Sequence, residues 1–313
     1  MEGKRICQTL KAIRQTYAKC YGIEYHPEEC HYEGECGGSC KKCDEEALHL
    51  QLEKFNMEYH NILKEKWENS LGQSDDTDEW YTMGELPSVE YNEDENATQM
   101  ENSDPWAQEP SMEVIGISRH RIDTDGPGVR TLIAVNGCPL RCKYCINPHS
   151  WNGNGKVNNY SAFDLVGFLN VDELYFEFTG GGVTFGGGEP LLYAECIQNF
   201  AENWGQEYSV ILETSLYVPL EKLKCVTGLI EQYIVDIKSM NPSIYEAYTG
   251  QSDNQLVINN LKFLLGQEGP DKVLVWVPQI PGYTTEADVE ASVRTLQKLG
   301  CTQIDVYQVK YKK

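Results

Sequence analysis

Cys138, Cys142 and Cys145 stand at Cys-x3-Cys-x2-Cys spacing, directly after a strand-like run at 131–136. Three thiolates hold three corners of a [4Fe–4S] cubane, and the fourth iron then stays open to a substrate. Close spacing within one loop brings the sulfurs together without long-range folding. Zinc is the structural alternative, because His149 follows Cys145 by four residues and would complete a Cys3His set. Further along, Gly186, Gly187 and Gly188 precede Glu189 and Pro190 at the end of a second strand-like run. Glycines without Cβ let a ligand approach the backbone, so Gly187, Gly188 and Glu189 are candidate grips for an amino-acid moiety. Glu213 ends a third such run; Asp236 and Lys238 end a fourth. The two carboxylates suit a cationic ligand, and Lys238 suits a carboxylate on it.

Elements that could place these groups side by side are legible from residue 113 onward. Strand-like runs at 131–136, 182–185, 209–213, 233–236, 272–278 and 304–308 alternate with helix-like runs at 161–169, 192–204, 219–225, 254–266 and 285–299. Repeated strand–helix units predict an α/β fold with a parallel sheet. Six units predict a partial (β/α)6 barrel with its chemistry at the carboxyl ends of the strands. Three segments follow: a small helical, cysteine-rich segment at 1–67, an acidic flexible linker at 68–112, and the barrel at 113–313. Within the first, Ala47, Leu48, Leu52, Phe55, Tyr59, Ile62 and Leu63 recur at helical spacing over 44–67, predicting an amphipathic helix with a docking face.

A second cysteine group lies in that first segment. Cys30, Cys36, Cys40 and Cys43 fall within 14 residues, and the last three repeat the Cys-x3-Cys-x2-Cys spacing. Gly34, Gly37 and Gly38 permit the tight turns that four converging thiolates need. Zinc and a second [4Fe–4S] cluster both use four thiolates. The reading leans to a cluster, which would relay electrons to the first. Cys7 and Cys20 read as core residues of the first helix, and Cys196, Cys225 and Cys301 as small buried hydrophobes.

The formal net charge of −22 argues against nucleic acid and against docking on anionic lipid. The charge is concentrated, with 14 acidic residues and no Lys or Arg between Trp67 and Ser118. Few aliphatics accompany them, so this stretch cannot offset its chain entropy by burial. No run approaches the roughly 18 apolar residues of a membrane span, and no secretory signal is evident. A cytoplasmic protein is expected, where twelve cysteines serve metals more readily than disulfides.

The cysteine trio resembles the signature of the radical S-adenosylmethionine enzymes. Ile122 to Arg130 upstream, Tyr144 to Pro148, Gly181 to Thr184 and Ile280 to Tyr283 narrow the resemblance. Together they are similar to the activating enzymes of glycyl radical enzymes, over roughly residues 113–311. The resemblance implies that the cluster on Cys138, Cys142 and Cys145 binds S-adenosylmethionine through its open iron. It implies that Gly187, Gly188 and Glu189 hold the methionyl amino group, and that Glu213, Asp236 and Lys238 contact the ligand or a nearby monovalent cation. Asp125 and Arg130 match the loop that meets the protein substrate. A glycyl radical enzyme is the implied partner, with a flavodoxin or ferredoxin-type protein as reductant. Two departures stand out. The third strand ends in Glu213 where Asp is usual, and no His follows His149; Tyr307 or Tyr311 would stack on adenine instead. Alternative functions are a radical enzyme acting on an anaerobic ribonucleotide reductase, another peptide or a small molecule, or a zinc-stabilised scaffold protein.

Overall fold

The computed structural model describes residues 2–27, 40–71, 109–122, 124–151, 156–204, 208–252 and 254–309. Cys30, Cys36 and Tyr311 lie outside these, as does most of the acidic stretch. Packing divides the chain into two units, one made of Met1–Leu50 and Pro110–Lys313, the other of Gln51–Glu109.

In the first unit, β1 (Ser111–Ile122), β2 (Val129–Val135), β3 (Asn158–Ser161), β4 (Gly182–Gly187), β5 (Ser209–Thr214), β6 (Gln232–Asp236), β7 (Val273–Gln279) and β8 (Gln303–Gln308) form one sheet. Its order is β3-β1-β2-β4-β5-β6-β7-β8. From β2 to β8 every pairing is parallel and in chain order. These are the six strands of the predicted partial barrel. Between them run α3 (Ala162–Leu169), α4 (Glu173–Thr179), α5 (Ala194–Trp204), α6 (Leu220–Val226), α7 (Pro242–Thr249), α8 (Gln255–Glu268) and α9 (Glu286–Lys298). Capping boxes start α3 at Ser161 with Asp164 and α9 at Thr285 with Asp288.

Two strands and two helices went unanticipated, for local reasons. β1 and β3 are the antiparallel strands of the sheet, with β3 at its edge and β1 between β3 and β2. Register shifts and a left-handed His120 (φ 56°) interrupt the alternation of β1. β3 is four mostly polar residues, and α4 and α7 are only seven and eight residues long.

The amino-terminal helix α1 (Glu2–Tyr21) buries Leu10, Arg14, Tyr17 and Ala18, which share one face at 3.6-residue periodicity. With Ala47 and Leu50 they pack on Val129, Leu174 and Tyr175. Those two come from α2 (Lys41–Leu71), whose first ten residues belong to this unit. The expected docking face of α2 is therefore split. Ala47 is buried, whereas Leu48 is 48 % exposed. In the second unit, Leu52, Phe55, Tyr59 and Ile62 are exposed, with Phe55 and Tyr59 stacked at 6.2 Å. No described helix is long and apolar enough to cross a membrane.

Candidate functional site

The cysteine loop leaves β2 at its carboxyl end and is pinned by main-chain bonds. Gly188 N–H donates to Val135 O at 3.0 Å and Glu189 N–H to Gly137 O at 2.8 Å, which locks the loop to the end of β4. Arg141 and Lys143 donate to the Thr249 and Tyr248 carbonyls at the end of α7. The approach tolerates no side chain: a Cβ on Gly188 would stand 2.1 Å from the Gly137 oxygen.

Cys138, Cys142 and Cys145 all open onto one cavity of about 800 Å³ at the carboxyl ends of the strands. Burial pushes the Cys138 thiol up to about 12, helped by the Glu189 charge. Burial raises Cys142 as well, with Lys238 opposing. Such thiols release their protons to a metal rather than to water. Among the described residues, no three His, Cys, Asp or Glu side chains converge as a set for a single ion. A cubane does not require that, because each of its irons takes its own thiolate. Three thiols on one loop, facing a common space, fit a cluster with one corner toward the cavity. His149 is exposed and is not on the cavity wall, so the Cys3His alternative gains no support.

Gly187 and Gly188 line the cavity. Glu189 does not, which changes its expected role. Its Oε1 accepts from Thr214 Oγ1 at 2.6 Å and Leu191 N at 3.3 Å; its Oε2 accepts from Ser215 Oγ at 2.6 Å and Ser215 N at 2.9 Å. Burial raises this carboxyl, and the four donors pull it back. Glu189 thus ties the end of β4 to the end of β5.

The opposite wall carries charge. Glu213 and Asp236 line it with Lys238, and Asp125 closes it with Arg121. Lys238 pairs with Asp236, whose Oδ2 also accepts from Tyr307 at 3.1 Å. Burial works against the Lys238 ammonium, but Asp236 and Cys142 outweigh it and hold it charged. The Asp236 Oδ1 is buried and has no hydrogen-bond partner. Burial pushes Glu213 up to about 7, and Asp236 and Asp125 add to the shift. A wall with an unpaired carboxylate oxygen and a carboxyl held near neutrality suits a ligand with positive charge.

Asp125 and Arg130 are neighbours that share the Thr184 hydroxyl, but only Asp125 lines the cavity. Asp125 is on the cavity, paired with Arg121 through a 2.9 Å Nη2–Oδ1 bond. Arg130 was expected to face a protein substrate and is instead fully buried. It donates to Thr184 Oγ1 at 2.8 Å, Val183 O at 2.6 Å and Ser209 O at 2.8 Å. Burial among these neutral acceptors lowers it to about 10. It pins the amino ends of β2, β4 and β5. Arg121, Tyr248 and Trp276, which the sequence alone does not single out, also stand on the cavity wall. Trp276 was recoverable from strand alternation; Arg121 and Tyr248 depend on folded neighbours.

The amino-terminal cysteines occupy a different setting. Cys43 is buried at the start of α2, with Arg14 Nη2 at 3.9 Å from its sulfur. The Arg14 guanidinium also bonds Tyr25, Tyr175 and Glu46. Arg119 grips Asp44 at 2.9 Å and Asp172 at 2.6 Å, which staples α2 to the sheet. This packing meets Val129, the first residue of β2, whereas the trio follows its last. A seven-residue strand spans about 20 Å, so the packing around Cys43 meets the opposite end of β2 from the trio. Cys7 is buried as expected; Cys20 is exposed, on the solvent side of α1. Cys196 and Cys301 are buried and Cys225 half-buried.

Parallel strands with a three-cysteine loop at the carboxyl end of the first define the class as an iron–sulfur enzyme of partial-barrel fold. The family described as "4Fe-4S single cluster domain" matches residues 124–238. Among curated proteins, the (2S)-3-sulfopropanediol dehydratase activating enzyme of Klebsiella oxytoca is 26% identical over 265 residues, covering 61% of this chain and 82% of the relative. The pyruvate formate-lyase-activating enzyme of Staphylococcus aureus is 31% identical over 176 residues, covering 52% and 67%. The chain belongs to the radical S-adenosylmethionine activating enzymes. A solved structure of Streptococcus suis SuiB bound to S-adenosylmethionine aligns with a TM-score of 0.45 at 15% identity, over 56% of this chain and 39% of that one.

Proposed function

We propose that this enzyme cleaves S-adenosylmethionine reductively and uses the resulting radical to abstract a hydrogen from a glycine Cα of a partner glycyl radical enzyme. Cys138, Cys142 and Cys145 would hold the cluster, which would supply the one-electron reduction that splits a bound sulfonium at C5′–S into methionine and a 5′-deoxyadenosyl radical. In this reading the backbone at Gly187 and Gly188 receives the methionyl amino group, and Glu189 holds their strand end in place. Asp236 and Glu213 stabilise positive charge, from the ligand or from a monovalent cation at the unpaired Asp236 Oδ1. Lys238 and Arg121 keep the carboxylates from repelling one another. Trp276 and Tyr307, 6.0 Å apart, offer an aromatic wall for adenine. A flavodoxin or ferredoxin-type protein is the proposed reductant, in a reducing compartment. Cys40 and Cys43, with Cys30 and Cys36, are proposed to hold a second metal, zinc or a cluster, in the segment 1–67 that precedes the acidic linker.

The observation that carries this reading is that the three thiols and the charged wall share one cavity. Anaerobic reconstitution with iron and sulfide, then dithionite and S-adenosylmethionine, should yield 5′-deoxyadenosine by chromatography. Adding the partner should give a glycyl doublet by electron paramagnetic resonance. Loss of 5′-deoxyadenosine from wild-type protein carrying a full cluster would overturn the proposal.

A further inference from the structure

β8 ends the sheet: it pairs with β7 from Leu274↔Gln303 to Gln279↔Gln308, and no described strand pairs its other side. The same strand walls the cavity, since Asp305, Val306, Tyr307 and Gln308 all line it. Tyr307 reaches inward to Asp236, while Val306 is 53 % exposed. Ile146, 84 % exposed, follows Cys145 and lines the same cavity. A strand edge that no described strand covers thus borders the cavity, which also holds an apolar residue beside the cysteine loop.

We propose that an extended segment of the protein substrate adds as a further strand to the free edge of β8, with its glycine beside the cavity. This rests on the glycyl substrate proposed above and says how it is held. Edge strands template backbone pairing, and a six-residue strand presents about three residues' N–H and C=O groups to a newcomer. Main-chain bonds supply affinity without fixing sequence. A residue in such a strand carries its side chain out of the pleat, between its Cα and any group facing it. Glycine alone leaves the Cα hydrogen bare on that side. Asp305, exposed on β8, favours a basic residue in the incoming strand.

The test uses the reconstituted full chain and a synthetic probe, acetylated and amidated Lys-Val-Ser-Val-Gly-Val-Ser-Lys, with two isomers N-methylated on alternate residues. Hydrogen exchange should slow at the amides of 304–308 when the probe is added. One isomer removes the donors facing β8 and should bind about tenfold more weakly, as two lost hydrogen bonds predict; the other should bind within about threefold of the parent. Binding without protection of β8, no binding, or equal affinity of the two isomers would overturn the edge proposal. So would protection that rises with protein concentration alone, which would identify a second copy as the occupant. Formation of 5′-deoxyadenosine without probe is measured in parallel. Its persistence confines any failure to the edge, and its loss places the failure in the cleavage reading.

Discussion

Cys142 and Cys145 share the Cys-x2-Cys spacing of Cys40 and Cys43, yet the two pairs sit in opposite settings. The first pair lies on a loop at the carboxyl ends of parallel strands, open to a cavity walled by Asp236, Glu213 and Lys238. The second begins a helix packed at the amino end of β2, with Cys43 buried beneath Arg14 and flanked by structural ion pairs. Spacing sets which thiols can act together; position relative to the sheet sets what they meet. In a parallel sheet the loops after the strands gather around one mouth, so polar groups accumulate there. At the amino ends, Arg130, Arg14 and Arg119 are consumed by packing.

The sharpest way to break this comparison is a pair of substitutions. Cys142→Ala should reduce 5′-deoxyadenosine formation to background while circular dichroism still reports a folded barrel. Cys43→Ala should leave a clear activity. Equal loss in both would put the two cysteine groups on one functional footing. Arg130→Ala should be the most destabilising change at the amino ends. It strands the Val183 and Ser209 carbonyls in a buried site, costing about 3–5 kcal/mol in denaturant unfolding. A stability change near zero would mean that Arg130 is not the pin described.

Arg14→Met tests the second region more gently. It keeps the bulk and removes the donors to Tyr175, Tyr25 and Cys43, at an expected cost of about 2–3 kcal/mol. Exchange should accelerate in α1 and the start of α2, with 5′-deoxyadenosine formation little changed. The smallest effect concerns pH. Glu213 has its folded value raised from about 4.5 to about 7, so the folded state holds the proton more tightly than the unfolded one. The metal-free protein should therefore lose stability as pH rises from about 4.5 to about 7, and level off above, by roughly 1–3 kcal/mol. Glu213→Gln should flatten that slope in unfolding curves across the window. A slope unchanged by the substitution would assign it to another group.

The sequence by itself determined the parallel strand series, the cysteine loop at the end of its first strand, and the carboxylates and lysine at later strand ends. Those are local matters: period-two and period-3.6 patterns, and spacing within one loop, are legible without neighbours. Tertiary structure decided where the side chains point. Glu189 and Arg130 belong to runs that read as binding motifs, but the folded backbone aims one at Thr214 and Ser215 and the other into the strands. Arg121 and Tyr248 reach the cavity only because the sheet brings distant segments together. A side chain's direction depends on the register and twist of strands contributed from far along the chain, and those are set when the apolar faces pack.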